Sequence, residues 1–187
     1  QPETGGACYL AVACGYSHTV ALRGDGRVFA IGASPDGRCD TAAWHDVVDI
    51  ACGVRHTAAV LSDGHCVATG DNSRGQCAVG DWENVVMIAC GEFHTAGVTA
   101  DGQVLVAGNA GGEACRVEDL RDVISVACLP EATVCVHADG HMTVRGGDGM
   151  LAEAVAPIRD AVAVDGKGVR LAVLTVDRRV LFLPGTE

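Results

Sequence analysis

Between residues 47 and 79 short apolar runs alternate with short polar breaks. The runs are VVDIAC, HTAAVL, HCVATG and QCAV. Runs this short, rich in Val, Ile and Thr and lacking an apolar position every three or four residues, predict strands. The breaks predict how the strands connect. Gly53 turns the chain after the first run. Ser62-Asp63-Gly64 follows the second, and Asp-Gly readily takes the positive φ that a hairpin needs. Gly70 ends the third run, and DNSRG leads to QCAV, read as a short fourth strand. Four short antiparallel strands in one such stretch describe a propeller blade.

The stretch recurs. ACGVRHTAAVLSDGHCVATG at 51–70 is echoed by ACGYSHTVALRGDGRVFAIG at 13–32 and ACGEFHTAGVTADGQVLVAG at 89–108. His18, His56 and His94 are 38 residues apart, as are the Asp-Gly pairs at 25–26, 63–64, 101–102 and 139–140. Trp44 and Trp82 keep the interval, and Leu120 and Ile158 continue it. Five units therefore run without insertion. The last two have lost parts of the signature: Leu129 and Ala132 stand for its Gly and His in the fourth, Lys167 and Arg170 in the fifth, and Asp177-Arg178 replaces Asp-Gly. A fixed period of this size marks a solenoid or a propeller. The hairpin turns argue against a parallel β-helix, and the glycine density against a helical repeat.

The expected fold is all-β: a β-propeller of about five four-stranded blades with a 38-residue repeat, in a single domain over 1–187. The units are phased at about 12–49, 50–87, 88–125, 126–163, and 164–187 completed by 1–11. Five periods nearly equal the length of 187 residues. Residues 1–8 would then complete the blade ended by VLFLPG and close a five-bladed ring; the alternative is part of a larger propeller.

Composition narrows the function. A net charge of −11 repels phosphate backbones, so no nucleic-acid partner is expected. No apolar stretch approaches the roughly 20 residues of a membrane span, so no membrane partner is expected either. Aromatic residues are only 4% of the chain, so Val, Ala, Leu, Ile and Cys must fill the core.

The cysteines look chemical but repeat with the blades. Cys14, Cys52 and Cys90 stand four residues before a His, and Cys128 continues the series; Cys39, Cys77 and Cys115 form a second. Equivalent positions on neighbouring blades lie too far apart to share one tetrahedral metal, so the expectation is buried free thiols, no metal and no disulfide. Ten packing thiols suggest a reducing, cytoplasmic setting. The repeated His is expected to hydrogen-bond backbone within its own blade. No catalytic residues, phosphate loop or cofactor motif stand out.

The informative positions are those where the framework repeats and the content changes. Between Gly and His lie Tyr16-Ser17, Val54-Arg55 and Glu92-Phe93, with Pro130-Glu131 and Gly168-Val169 in the altered units. Tyr16, Ser17, Val54, Arg55, Glu92, Phe93 and Glu131 are the candidate partner-binding residues, on one face of a non-enzymatic scaffold. The alternatives are a metal-binding module built on the Cys and His series, and an enzyme with a channel site using Arg170 and Glu131.

The stretch IACGVRHTAAVLSDGHCVATGDNSRGQC resembles the repeat of the regulator-of-chromosome-condensation propellers: Gly-x-x-His-Thr, an Asp-Gly hairpin, a strand-ending Gly, then Asn-x-x-Gly-Gln. The resemblance covers about 8–128 well and 129–187 weakly. It implies a propeller that binds other proteins. It also implies that nucleotide-exchange activity, which in the family relies on a wedge inserted among the repeats, has no place in an unbroken 38-residue interval.

Overall fold

A computed structural model describes residues 8–108, 112–147, 149–168 and 170–184. Its strands form five three-stranded antiparallel sheets. The first is β1 (Tyr9–Cys14), β2 (His18–Arg23) and β3 (Val28–Gly32). The second is β4 (Val47–Cys52), β5 (His56–Leu61) and β6 (Cys66–Gly70). The third is β7 (Val85–Cys90), β8 (His94–Thr99) and β9 (Val104–Gly108). The fourth is β10 (Val123–Cys128), β11 (Ala132–His137) and β12 (Met142–Gly146). The fifth is β13 (Ala161–Lys167), β14 (Arg170–Thr175) and β15 (Val180–Pro184). Strands pair in sequence order within each sheet. One short helix, α1 (Met150–Val155), lies between the fourth and fifth.

The expected fourth strand is not formed. Residues 72–82 spend their amides on successive turns: Gly75 N–H donates to Asn72 O, Ala78 to Gly75 O, Val79 to Cys77 O and Trp82 to Val79 O. A backbone hydrogen-bonded to itself in this way has nothing left to offer a ladder.

The Asp-Gly turns are tied to the next blade. Gly64 has φ 85°, and a Cβ there would sit 3.0 Å from Asn84 Cα. Its carbonyl accepts from Val85 N–H, the start of β7. In the fifth sheet Arg178 adopts the left-handed conformation, at φ 65°, without the glycine.

The core lies between sheets. Residues of one parity on each middle strand face the following blade, and those of the other parity face the preceding one. Val20, Leu22 and Val28 pack against Ile50 and Ala59, and Val134, Val136 and Met142 against Val164 and Val173. Alanine recurs at these junctions, so the sheets approach closely without aromatic filling.

The five-bladed ring is not closed. Val12 is 65% exposed, whereas Ile50, Ile88, Val126 and Val164 at the same register are 7%, 5%, 4% and 7%. At the other end of the series Phe182 is 81% exposed. The two faces that would have to meet are uncovered. The segment expected to complete the fifth blade, residues 1–8, lies outside the described residues except for its last.

Candidate functional site at the Gly-x-x-His rim

The repeated signature is a clasp between blades. His18 Nε2 lies 2.9 Å from Thr57 Oγ1, His56 Nε2 2.8 Å from Thr95 Oγ1, and His94 Nε2 3.1 Å from Thr133 Oγ1. Each Thr hydroxyl donates to a carbonyl of the connecting segment: Thr57 to Arg38 O at 2.7 Å, Thr95 to Gln76 O at 2.8 Å, Thr133 to Ala114 O at 2.7 Å. A hydroxyl has one proton, so each His donates through Nε2–H and keeps Nδ1 bare. Those Nδ1 atoms are buried without a partner. This corrects the expectation that the His bonds backbone within its own blade.

The glycine of the signature makes room for the ring. A Cβ on Gly53 would lie 2.3 Å from His56 Cε1 and 2.7 Å from Gly91 O. Burial drives the imidazoles towards neutrality, taking His56 and His94 down to about 4. Nearby Lys167 adds to the effect at His56. His18 is lowered by burial and then by Arg38 and Lys167.

The cysteines tie the inner strands together. Cys52 Sγ lies 3.5 Å from Ala13 O, Cys90 Sγ 3.7 Å from Ala51 O, and Cys128 Sγ 3.5 Å from Ala89 O. Burial pushes the Cys52 thiol up to about 12 and raises Cys90 and Cys128 as well. Cys14 breaks the expected pattern: it is exposed, because it lies on the inner strand of the first blade, whose face is uncovered. Among the described residues no three His, Cys, Asp or Glu side chains gather to hold a metal.

The residues between Gly and His surround one end of the central channel. Tyr16, Ser17, Val54, Arg55 and Glu92 line a cavity of about 780 Å³ together with Arg38 and Lys167. Tyr16 is 83% exposed; Ser17 and Arg55 are exposed; Val54 and Glu92 are half-buried. Phe93 and Glu131 do not line it. The Phe93 ring instead lies under the Arg74 guanidinium, 5.3 Å from its centroid, and Glu131 is exposed on the fourth hairpin. Arg170, the candidate for a channel enzyme, is exposed and outside the cavity.

Arg38 organises this rim and was missed by sequence reasoning. It is 5% exposed and pairs with Asp36, Nε to Oδ1 at 2.6 Å. That pairing holds the Asp36 carboxyl below its usual range. One guanidinium nitrogen donates both to Ser17 Oγ at 3.0 Å and to Val54 O at 2.8 Å, joining the first two turns. Arg38 occupies the register of Gln76, the last residue of Asn-x-x-Gly-Gln, so a break in that repeat was its sequence signal. Lys167 was visible only as a lost glycine.

The comparisons agree with this architecture. The model of the regulator of chromosome condensation (RCC1) repeat matches three times, at residues 10–38, 47–76 and 85–111. Residues 10–111 thus carry three RCC1 repeats. The three matches are the three blades that carry the full His signature. Among curated proteins none matches the sequence. Among solved structures, human WBSCR16 superposes with a TM-score of 0.77 at 18% identity, over 98% of this chain and 64% of that one. The CRINKLY WD40 ectodomain of the Arabidopsis thaliana receptor kinase ACR4 gives 0.72 at 18%, over 98% and 66%. Prp20p from Saccharomyces cerevisiae gives 0.72 at 20%, over 89% and 55%. The chain thus spans about two thirds or less of each of these proteins. At such identities the likeness concerns the fold. No helix among the described residues is long and apolar enough to cross a membrane.

Proposed function

We propose that the protein is a non-enzymatic interaction module that binds a protein partner through the Gly-x-x-His rim. The observation that carries this reading is the contrast within each signature. Gly, His and Thr repeat because the blade clasp needs them, whereas the two residues between Gly and His differ in every blade, and Tyr16, Ser17, Val54, Arg55 and Glu92 among them line one cavity. A structural requirement repeats with the fold; an asymmetric partner imposes different residues at equivalent positions. Tyr16, Ser17, Val54, Arg55 and Glu92 form the inner part of this surface, and Phe93 and Glu131 extend it outward. The rim is pre-shaped by Arg38, which lowers the cost of ordering loops on binding. Prp20p, described with binding to Gsp1p and histones, supports the use of this fold for protein recognition. Ten free thiols fit a reducing compartment such as the cytoplasm.

The test is capture of partners on the immobilised protein, followed by titration of the captured partner with rim variants. Tyr16→Ala, Arg55→Ala and Phe93→Ala should each weaken binding by about 2 kcal/mol if they anchor the interface. Circular dichroism and thermal melting should stay unchanged for the exposed Tyr16 and Arg55. Unchanged affinity in all three variants would remove the rim from the interface.

A further inference from the structure

Lys167 breaks the symmetry of the channel mouth. In the first three blades a Gly stands at this register, its N–H donating to the carbonyl of the His whose ring folds over it. In the fifth, Lys167 takes the Gly position and pairs with Arg170 at the same register. A side chain therefore stands where the first three blades have none, and its ammonium reaches across the mouth to donate to the carbonyl of Cys52 in the second blade. Its charge is felt at His18, His56, Cys52 and Cys90, so it sits centrally among the inner ends of the blades.

The cations of the mouth are unequally matched. Arg38 is fully engaged with Asp36, Ser17 and Val54. Neither Lys167 nor Arg55 has a carboxylate within 4 Å among the described residues. Glu92, the other carboxylate of the mouth, pairs with neither. An ammonium has three N–H donors, and one is given to the Cys52 carbonyl. The wall beside it is apolar, from Val54, Pro130, Cys90 and Cys128. Such walls lower the local dielectric and strengthen an ion pair. The chain as a whole carries −11, so an anion is repelled elsewhere and favoured here.

We propose that the channel mouth is a receptor for one carboxylate, supplied by an acidic side chain of the bound protein, with Lys167 as its anchor and Arg55 as its second cation. This rests on the rim being the partner-binding face. A cavity of about 780 Å³ admits a side chain and a little backbone, so the partner inserts a residue rather than docking flat. The Arg38 bond to Val54 O fixes the turn that carries Arg55, and the Cys52 carbonyl fixes Lys167.

The experiment is a titration of the intact protein with two end-blocked peptides, acetyl-Gly-Glu-Gly-amide and acetyl-Gly-Gln-Gly-amide, followed by the side-chain NMR resonances of Lys167 and Arg55. The Glu peptide should shift both saturably and the Gln peptide should not. Lys167→Met should weaken the Glu peptide at least tenfold and Arg55→Gln severalfold, and added salt should weaken it further. Equal responses to Glu and Gln, or Lys167→Met binding like the parent protein, would overturn the proposal. The wider reading is separable. A captured partner sensitive to Tyr16→Ala but indifferent to Lys167→Met would keep the rim as the interface and remove the carboxylate receptor.

Discussion

The junctions joining blades one to four and the junction joining four to five solve the same packing problem with opposite chemistry. In the first three, a buried His on one blade donates to a buried Thr on the next. At the last, Ala132 replaces the His and Leu171 the Thr, while Leu129 replaces the Gly that the ring would have covered. All three are buried, in one apolar cluster. Removing one member of a buried polar pair costs its partner's desolvation, whereas replacing both by apolar groups of suitable shape is nearly neutral. The fourth and fifth units are therefore repacked together. Each clasp joins residues 39 apart, one more than the repeat, so the donor and acceptor of one bond fall in successive units. Read unit by unit, the change looks like loss of signature; read across the junction, it is a matched replacement.

The sharpest way to separate the two kinds of junction is acid. His56 and His94 fall from the ordinary 6.5 to about 4 in the fold because burial disfavours their charged form. A depressed His pKa means that the unfolded chain binds the extra proton first. The stabilisation is present above pH 6.5 and is lost as pH falls from there towards 4. For each of the two groups it amounts to roughly 3 kcal/mol. Stability should decline across this window, and hydrogen exchange should accelerate first in blades two to four. The junction of blades four and five has no His clasp to protonate and should hold longest. His56→Ala should flatten the pH dependence. A flat profile between pH 6.5 and 4 in the parent protein would show that the clasps are not held neutral.

Sterics give the next largest contrast. Gly53→Ala places a methyl 2.3 Å from the His56 ring and 2.7 Å from a backbone oxygen that has no rotamer to change. Overpacking of this kind costs about 3 kcal/mol, or a fall in Tm of about 10 °C for a domain of this size. At the matching position of the fourth blade a side chain is already accommodated, so Leu129→Ala only opens a cavity, costing about 2 kcal/mol. Thermal melts of the two variants compare them directly. A Gly53→Ala protein melting like the parent would mean that the ring does not lie over the glycine.

Much of this was legible in the sequence. The 38-residue period, the hairpins at Asp-Gly and the three strands per unit follow from local pattern. The turn that displaced a fourth strand was harder: Gln76-Cys77-Ala78-Val79 has a strand's composition, and only the hydrogen bonds from Gly75, Ala78 and Val79 show where its backbone is committed. The exposure of Cys14 and Val12 was not legible at all, because burial at those registers comes from a neighbouring blade and not from the residue itself. Arg38 and Lys167 could be seen only as departures from a repeat, which flags a position without giving its contacts.

The smallest expected effect tests the direction of the clasp. Thr57 accepts from His18 and donates to the Arg38 carbonyl, and it is completely buried. Thr57→Ala leaves both groups without a partner in a site that water does not reach. The expected cost is about 2 kcal/mol. Thr19 holds the same position in the first blade but receives no His clasp from another blade among the described residues. Among those residues its hydroxyl reaches the exposed Cys14 sulfur, at 3.9 Å. Thr19→Ala should therefore stay within about 0.5 kcal/mol of the parent. Parallel denaturant unfolding of the two variants measures the difference. Equal losses would mean that the first blade's Thr is satisfied in solution by a donor covering that face; a loss at Thr57 alone fixes the clasp as a bond made by each blade to the one that follows it.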